Sequence, residues 1–266
     1  VPIQNVQRGA NLAGDSVTTG SVTVTANAAA NTKGAWSQVF ASTVTDSGWL
    51  VVQPDDVFVS ATNTGTLMDV GVGAAGAEQV VVPNIVMGAW QHGSMFMCPM
   101  FVPAGSRVAV RIQSAVASKA FPVKVNLLPC AVQADACQWC EALGVSTATS
   151  GGTTLPTPSV AGTKTGWVQL SAGLTRDTSV ICWAMGTLGS NIAAAKGGVD
   201  IGYGPSGQEQ PLVANARWEQ LGTENINPCM FPVPCNLPAG TRIAARFDST
   251  STAAASVPQV AAYAFA

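Results

Sequence analysis

The chain has 266 residues, only 10% of them charged, and its 12 basic and 14 acidic side chains leave a formal net charge of −2. A soluble chain ordinarily carries about 25% charged residues. A near-neutral balance offers neither the basic footprint that binds nucleic acid nor the polybasic patch that binds a membrane surface. His92 is the single histidine, which removes multi-histidine metal sites and most imidazole-based catalysis, so an enzyme is not expected.

Residues 1–9 contain no signal-peptide core, and the seven cysteines are an odd set in a large domain. A reducing cytosol and buried free thiols are therefore expected. Residues 1–13 read as an N-terminal arm. Residues 22–25 (VTVT) alternate as a half-buried strand does, and the apolar run 49–52 ends in the turn signal Pro54-Asp55-Asp56. The apolar run 80–90 is broken by Pro83 and Asn84 and is too short to span a bilayer. Over 107–113, Val108, Val110 and Ile112 share one face while Arg107, Arg111 and Gln113 share the other. Val123, Val125 and Leu127 repeat the pattern against Lys124 and Asn126.

A connector at 129–144 follows. The capping-box spacing of Asp135 and Gln138, with Gly144 at the C-cap position, predicts a short helix over 136–143. Beyond it the first unit begins again. DVGVGAAGAEQ at 69–79 returns as DIGYGPSGQEQ at 200–210, and PAGSRVAVR at 103–111 returns as PAGTRIAAR at 238–246. Lys33, Trp36, Gln38 and Asp46 match Lys164, Trp167, Gln169 and Asp177 in the same order. The expected fold is all-β, a tandem duplication of two antiparallel, jelly-roll-like β-sandwich units at 14–128 and 145–266.

Each candidate site has a competing structural explanation. Both copies of G-x-G-x-x-G, at 71–76 and 202–207, run on into β-branched or proline-containing sequence. A dinucleotide loop needs a helix there, so a strand ending in a glycine turn is expected, with the glycine face open to another backbone. No cofactor is expected. The recurring carboxylates Asp46/Asp177, Asp69/Asp200 and Glu78/Glu209 suit turn and strand-end chemistry better than paired acid–base catalysis. Asp55 and Asp56 lack the alternating oxygen ligands of a calcium loop. Cys130 with Cys137 and Cys140 is the best zinc candidate, although three thiolates leave a tetrahedral site one ligand short. Trp36 and Trp167 lie in apolar runs and are expected in the core. Trp90, Trp139 and Trp218 are freer to be exposed, for sugar stacking or as interface anchors.

The segments 69–85 and 102–111, and their repeats 200–215 and 237–246, resemble β-rich structural proteins of tailed bacteriophage particles. The second copy departs from that pattern at Pro211 and at 214–216 (Ala-Asn-Ala). The resemblance implies a capsid-decorating (cement) protein, a head fibre or a spike. Its partners would be the major capsid protein and further copies of itself in a cyclic homo-oligomer such as a trimer. The chain would be made in the host cytoplasm and carried on the outer surface of the virion. The alternative is a host-receptor or glycan-binding module of a head fibre, spike or tail.

Overall fold

Alternation of apolar and polar residues becomes strand pairing in both copies. The computed structural model describes residues 11–13, 21–54, 65–87, 95–129, 137–187, 195–221, 224–226, 232–252 and 258–266. The first unit contains β1 (Asn11–Ala13), β2 (Val22–Thr25), β3 (Ser37–Phe40), β4 (Ser47–Pro54), β5 (Thr66–Val72), β6 (Gln79–Met87), β7 (Phe96–Cys98), β8 (Val108–Ser114) and β9 (Ala120–Pro129). They form one sheet in the order β1-β9-β4-β7, with β2 also on β9, and a second in the order β3-β8-β5-β6.

The second unit repeats this plan with β10 (Cys140–Leu143), β11 (Val145–Ser146), β12 (Gly151–Thr154), β13 (Val168–Ser171), β14 (Thr178–Thr187), β15 (Ala195–Tyr203), β16 (Gln210–Leu221), β17 (Glu224–Ile226), β18 (Val233–Leu237), β19 (Ile243–Phe247) and β20 (Pro258–Phe265). Its sheets run β11-β12-β20-β14-β18, with β10 also on β20, and β13-β19-β15-β16-β17. The chain is thus two tandem antiparallel β-sandwiches, and the named strand pairs are all antiparallel. No helix occurs among the described residues.

The faces read from the sequence point where alternation places them. Val108, Val110 and Ile112 are fully buried between the sheets of the first unit, as are Ile243, Ala245 and Phe247 in the second. Val123, Val125 and Leu127 on β9 join the same core as Leu50 and Val52 on β4. Burying such side chains contributes about 1.5–3 kcal/mol each.

Two expectations about the segments flanking the units are corrected. The predicted helix over 136–143 is absent: Cys137 forms a parallel bridge to Met100, and Cys140–Leu143 pairs with β20. The edge of β20 takes up these backbone groups, which outweighs a weak capping signal. Gly144 does adopt a left-handed conformation (φ 74°), but it turns β10 into β11. A Cβ there would also lie 2.8 Å from Leu170 Cδ2. The second unit therefore takes in Cys140–Leu143, and Asn11–Ala13 of the expected arm pairs with β9.

The sandwiches meet along a continuous seam. The outward residues Cys182, Ala184, Ala261, Tyr263 and Phe265 of the second unit share one apolar cluster with the core of the first. Strand β6 is the edge of its sheet, and Tyr263 closes that edge. The Tyr263 hydroxyl donates to the Asn84 carbonyl (2.9 Å) and accepts from the Val86 amide (2.7 Å). An edge strand with open backbone groups templates unwanted pairing, and a fully buried tyrosine removes that liability.

Candidate functional site

Two matched charge clusters lie on the outer face of the β3-β8-β5-β6 sheet and of its repeat. Asp69 on β5 stands in register with Arg111 on β8. Its Oδ2 accepts from Arg111 Nε at 2.8 Å, and its Oδ1 accepts from Lys33 Nζ at 2.7 Å and from the Asn84 amide at 2.9 Å. Asn84 is left-handed (φ 52°), and the β5–β6 register shifts between Met68 and Val70. Asp69 therefore holds a β-bulge in place. In the second unit Asp200 accepts from Arg246 Nε (2.8 Å), Lys164 Nζ (3.0 Å) and the Asn215 amide (2.8 Å), with Asn215 at φ 54°.

The electrostatics follow from this geometry. Burial pushes the Asp200 carboxyl up, but the Asn215 amide, Arg246 and Lys164 together outweigh it and hold the group below its ordinary value. Burial draws the Lys33 ammonium down, and Arg111 adds to this while Asp69 opposes it. A second pair lies beside each cluster. Arg107 donates to Glu78 (2.6 Å) and Gln38 (2.9 Å), and Arg242 donates to Glu209 (2.6 Å) and Gln169 (3.1 Å). Burial raises both glutamates, yet their own backbone amides and the arginines bring them below the usual carboxylate range. A general acid needs its pKa raised toward neutrality. Asp200, Glu78 and Glu209 are instead held in the ionised form, as anchors for the sheet and the second bulge.

Trp36 and Trp167 complete the clusters, and here the expectation of core residues is corrected. Both indoles are half-buried on the outer sheet face, with the Arg111 and Arg246 guanidinium carbons 4.4 Å from the ring centroids. Each ring lies over a glycine: a Cβ on Gly71 or Gly202 would sit 2.6 Å from the Cη2 of Trp36 or Trp167. The glycine face thus admits an indole and not another backbone. Gly71→Ala is expected to lift the Trp36 ring at a cost of about 1–3 kcal/mol, read as a lower thermal midpoint and a shifted tryptophan emission. The signal for this cluster was present in the repeat, because Lys33, Trp36, Asp69 and Arg111 recur together as Lys164, Trp167, Asp200 and Arg246. Sequence reasoning placed them in separate strands and turns.

The remaining candidates have local roles or lie outside the described residues. Asp46 and Asp177 accept from the Ala104 and Ala239 amides (2.7 and 2.8 Å), capping the repeated Pro-Ala-Gly turns. Both glycine loops join antiparallel strands, β5 to β6 and β15 to β16. Of the zinc candidates, Cys137 contacts Ser179 Oγ at 3.5 Å and Cys140 packs against the apolar seam, while Cys130 lies outside the described residues. Burial pushes both described thiols up. Among the described residues no group of three or more His, Cys, Asp or Glu is placed to hold a metal ion. Trp139 is half-buried with Arg176 5.2 Å from its ring centroid. His92, Trp90, Asp55, Asp56 and Cys229 lie outside the described residues, as does the Trp218 side chain.

Beside the clusters the units differ. In the first, the turn between β11 and β12 covers the outer sheet face. Gln113 Nε2 donates to the Thr147 carbonyl (2.8 Å) and Ser150 Oγ (3.0 Å), and Ser150 Oγ donates to Asn31 Oδ1 (2.8 Å). A Cβ on Gly65 would collide with the Ser150 carbonyl, and Leu67 and Val86 are buried nearby. The matching place in the second unit is an open groove of about 420 Å³, lined by Gly162, Gly198, Lys196, Arg217, Asp248 and Thr250 among others.

No family model matches the chain, and no curated protein matches it. Among solved structures it is similar to PNGF-II, with 8% identity and a TM-score of 0.42, over 92% of this chain and 64% of that one. The chain thus spans less than two thirds of that protein. It is similar also to PNGase F, a glycosylasparaginase from Flavobacterium meningosepticum, with 9% identity and a TM-score of 0.40, over 92% of this chain and 95% of that one. Vicilin from Capsicum annuum matches at 9% identity and a TM-score of 0.21, over 83% of this chain and 70% of that one. The likeness is one of fold. It corrects the expectation that the chain is not an enzyme, since a glycosylasparaginase stands among the matched structures.

Proposed function

We propose that this chain is a structural protein of a tailed-phage particle: a capsid-decorating protein that docks on the outer surface of the assembled head and reinforces it. What supports the reading is the coincidence between the residues that carry the phage resemblance and those that build the sheet faces. Asp69, Asn84 and Arg111, with Asp200, Asn215 and Arg246, fall within the resembling segments, and they form the repeated bulge clamps. The resemblance is therefore one of scaffold construction repeated twice. The partner is the major capsid protein, and the site of synthesis is the host cytoplasm. The glycan-binding alternative rests on Trp90, Trp139 and Trp218, and of these the Trp139 ring already has the Arg176 guanidinium 5.2 Å from its centroid.

The test is binding to purified, mature-form heads assembled without this chain. Copies bound per head are expected to saturate at a fixed multiple of the lattice sites. The loaded heads should then survive higher temperature, because a ligand that binds only the assembled lattice stabilises it by mass action. Absence of saturable binding to heads would overturn the reading.

A further inference from the structure

We infer that the cavity between the glycine turn at 204–208 and the Pro-Ala-Gly turn at 238–241 of the second unit binds a neutral saccharide, one hexose-sized ring of a glycan.

Two tight turns build this cavity. It encloses about 440 Å³ and is lined by Tyr203, Pro205, Asn236, Pro238, Thr241 and Arg242 among others. That volume lies within the range of small-molecule pockets, about 300–1,000 Å³. A backbone bond closes each turn, from the Gln208 amide to the Pro205 carbonyl (3.0 Å) and from the Thr241 amide to the Pro238 carbonyl (3.2 Å). The Gly204 amide donates to the Arg242 carbonyl (3.1 Å) and so ties one turn to the chain leaving the other. Walls fixed before a ligand arrives reduce the ordering cost of binding.

The lining selects the ligand. The Arg242 guanidinium is already engaged, donating to Glu209 (2.6 Å), Gln169 (3.1 Å) and the Gly204 carbonyl (3.4 Å). Glu209 balances its charge, and Asp177 accepts from the Ala239 amide behind the second turn. An anion therefore finds no net positive charge here. Tyr203 packs against the core of the second unit, and its hydroxyl donates to Gln210 Oε1 (3.2 Å), which fixes the ring. With the exposed Pro205 and Pro238 it makes an apolar wall. Among the described residues no hydrogen bond engages the Asn236 side-chain amide or the Thr241 hydroxyl. Each of these groups can both donate and accept. A pyranose has the matching chemistry, with C–H bonds on its ring faces and hydroxyls around its rim. The apolar wall takes a ring face, and the amide and hydroxyl take the rim.

The first unit holds the same frame with different walls. Gly204, Pro238, Gly240 and Arg242 repeat Gly73, Pro103, Gly105 and Arg107, and the Gly73 amide likewise donates to the Arg107 carbonyl (3.1 Å). At the lining, Val72, Ala74 and Phe101 become Tyr203, Pro205 and Asn236. Phe101 is half-buried, whereas Asn236 is exposed. The second unit has thus gained a ring and an amide on an unchanged scaffold.

The test uses the full chain and saturation-transfer NMR with the methyl glycosides of glucose, galactose, mannose and N-acetylglucosamine. Inorganic sulfate serves as the anionic probe. At least one glycoside is expected to bind with millimolar affinity. Tyr203→Val and Asn236→Phe install the first unit's residues, so the frame accommodates both, and thermal midpoints establish that they fold. Each is expected to weaken binding about tenfold or more. Tyr203→Phe keeps the wall and should still bind, and Asn236→Ala is a milder second variant that removes the amide alone. Absence of binding by every glycoside would overturn the inference, as would binding that survives both Tyr203→Val and Asn236→Phe. Sulfate binding without glycoside binding would overturn it in favour of an anion site. The outcome stands apart from binding to heads and from the tryptophans.

Discussion

Asp200→Ala is expected to destabilise the second unit by about 3 kcal/mol, because it removes an acceptor shared by Arg246, the Asn215 amide and Lys164, of which Lys164 keeps the Gly198 carbonyl and Asp248. The carboxylate is almost fully enclosed (side chain 3% exposed), while Lys164 and Arg246 keep partial contact with water at 21% and 31%. That contact moderates the loss below the value for a fully buried pair. The Asn215 amide also loses its partner, at a left-handed bulge residue that the carboxylate holds in place. For a chain of this size the thermal midpoint should fall by about 6–12 °C. Acid provides an independent reading. The Asp200 pKa is lower folded than its ordinary value of 3.8. Such a group contributes stability above its unfolded pKa and forfeits that contribution as pH falls through the folded pKa. Asp200→Asn should therefore start less stable at neutral pH and show a shallower acid loss below about pH 4. Midpoints of both proteins measured across that range decide the point. Parallel acid limbs would show that Asp200 is not part of the acid response.

The second large effect is expected at the seam. Tyr263→Phe keeps the ring and removes only the hydroxyl, leaving the Asn84 carbonyl and Val86 amide buried without their partner. Each stranded group costs about 1–3 kcal/mol. Tyr263→Ala adds a cavity, for a loss of about 3–5 kcal/mol. Because one apolar cluster runs through both units, calorimetry of the unaltered chain should show a single transition. The alanine variant should separate it into two as the units uncouple. A single, merely shifted transition in Tyr263→Ala would mean that the units are held together elsewhere.

Much of the architecture was legible from period and repetition. Alternation at 107–113 named the buried face of β8, and the repeated blocks announced two sandwiches before any coordinate did. The errors share a cause. The 136–143 segment has a capping signal that local chemistry alone makes helical, but the open edge of β20 lies more than a hundred residues away and takes it as a strand. Trp36 and Trp167 sit in sequence stretches that look like core, and what places them outside is a glycine thirty-five residues on that makes room for an indole. The charge clusters were missed for the same reason. Lys33, Asp69 and Arg111 converge only through sheet register, which a sequence expresses indirectly, as co-recurrence in a second copy.

The tyrosine that closes the β6 edge is separated from its two partners there, Val86 and Asn84, by 177 and 179 positions. A ribosome therefore releases the whole first sandwich with that edge uncovered, and the covering tyrosine emerges much later. At about 5–20 residues per second the interval lasts on the order of ten to forty seconds. During that time nascent chains on one messenger can pair edge to edge. Slower translation of the second half, or higher expression, should raise the yield of intertwined aggregates, and early supply of a detached second unit should lower it.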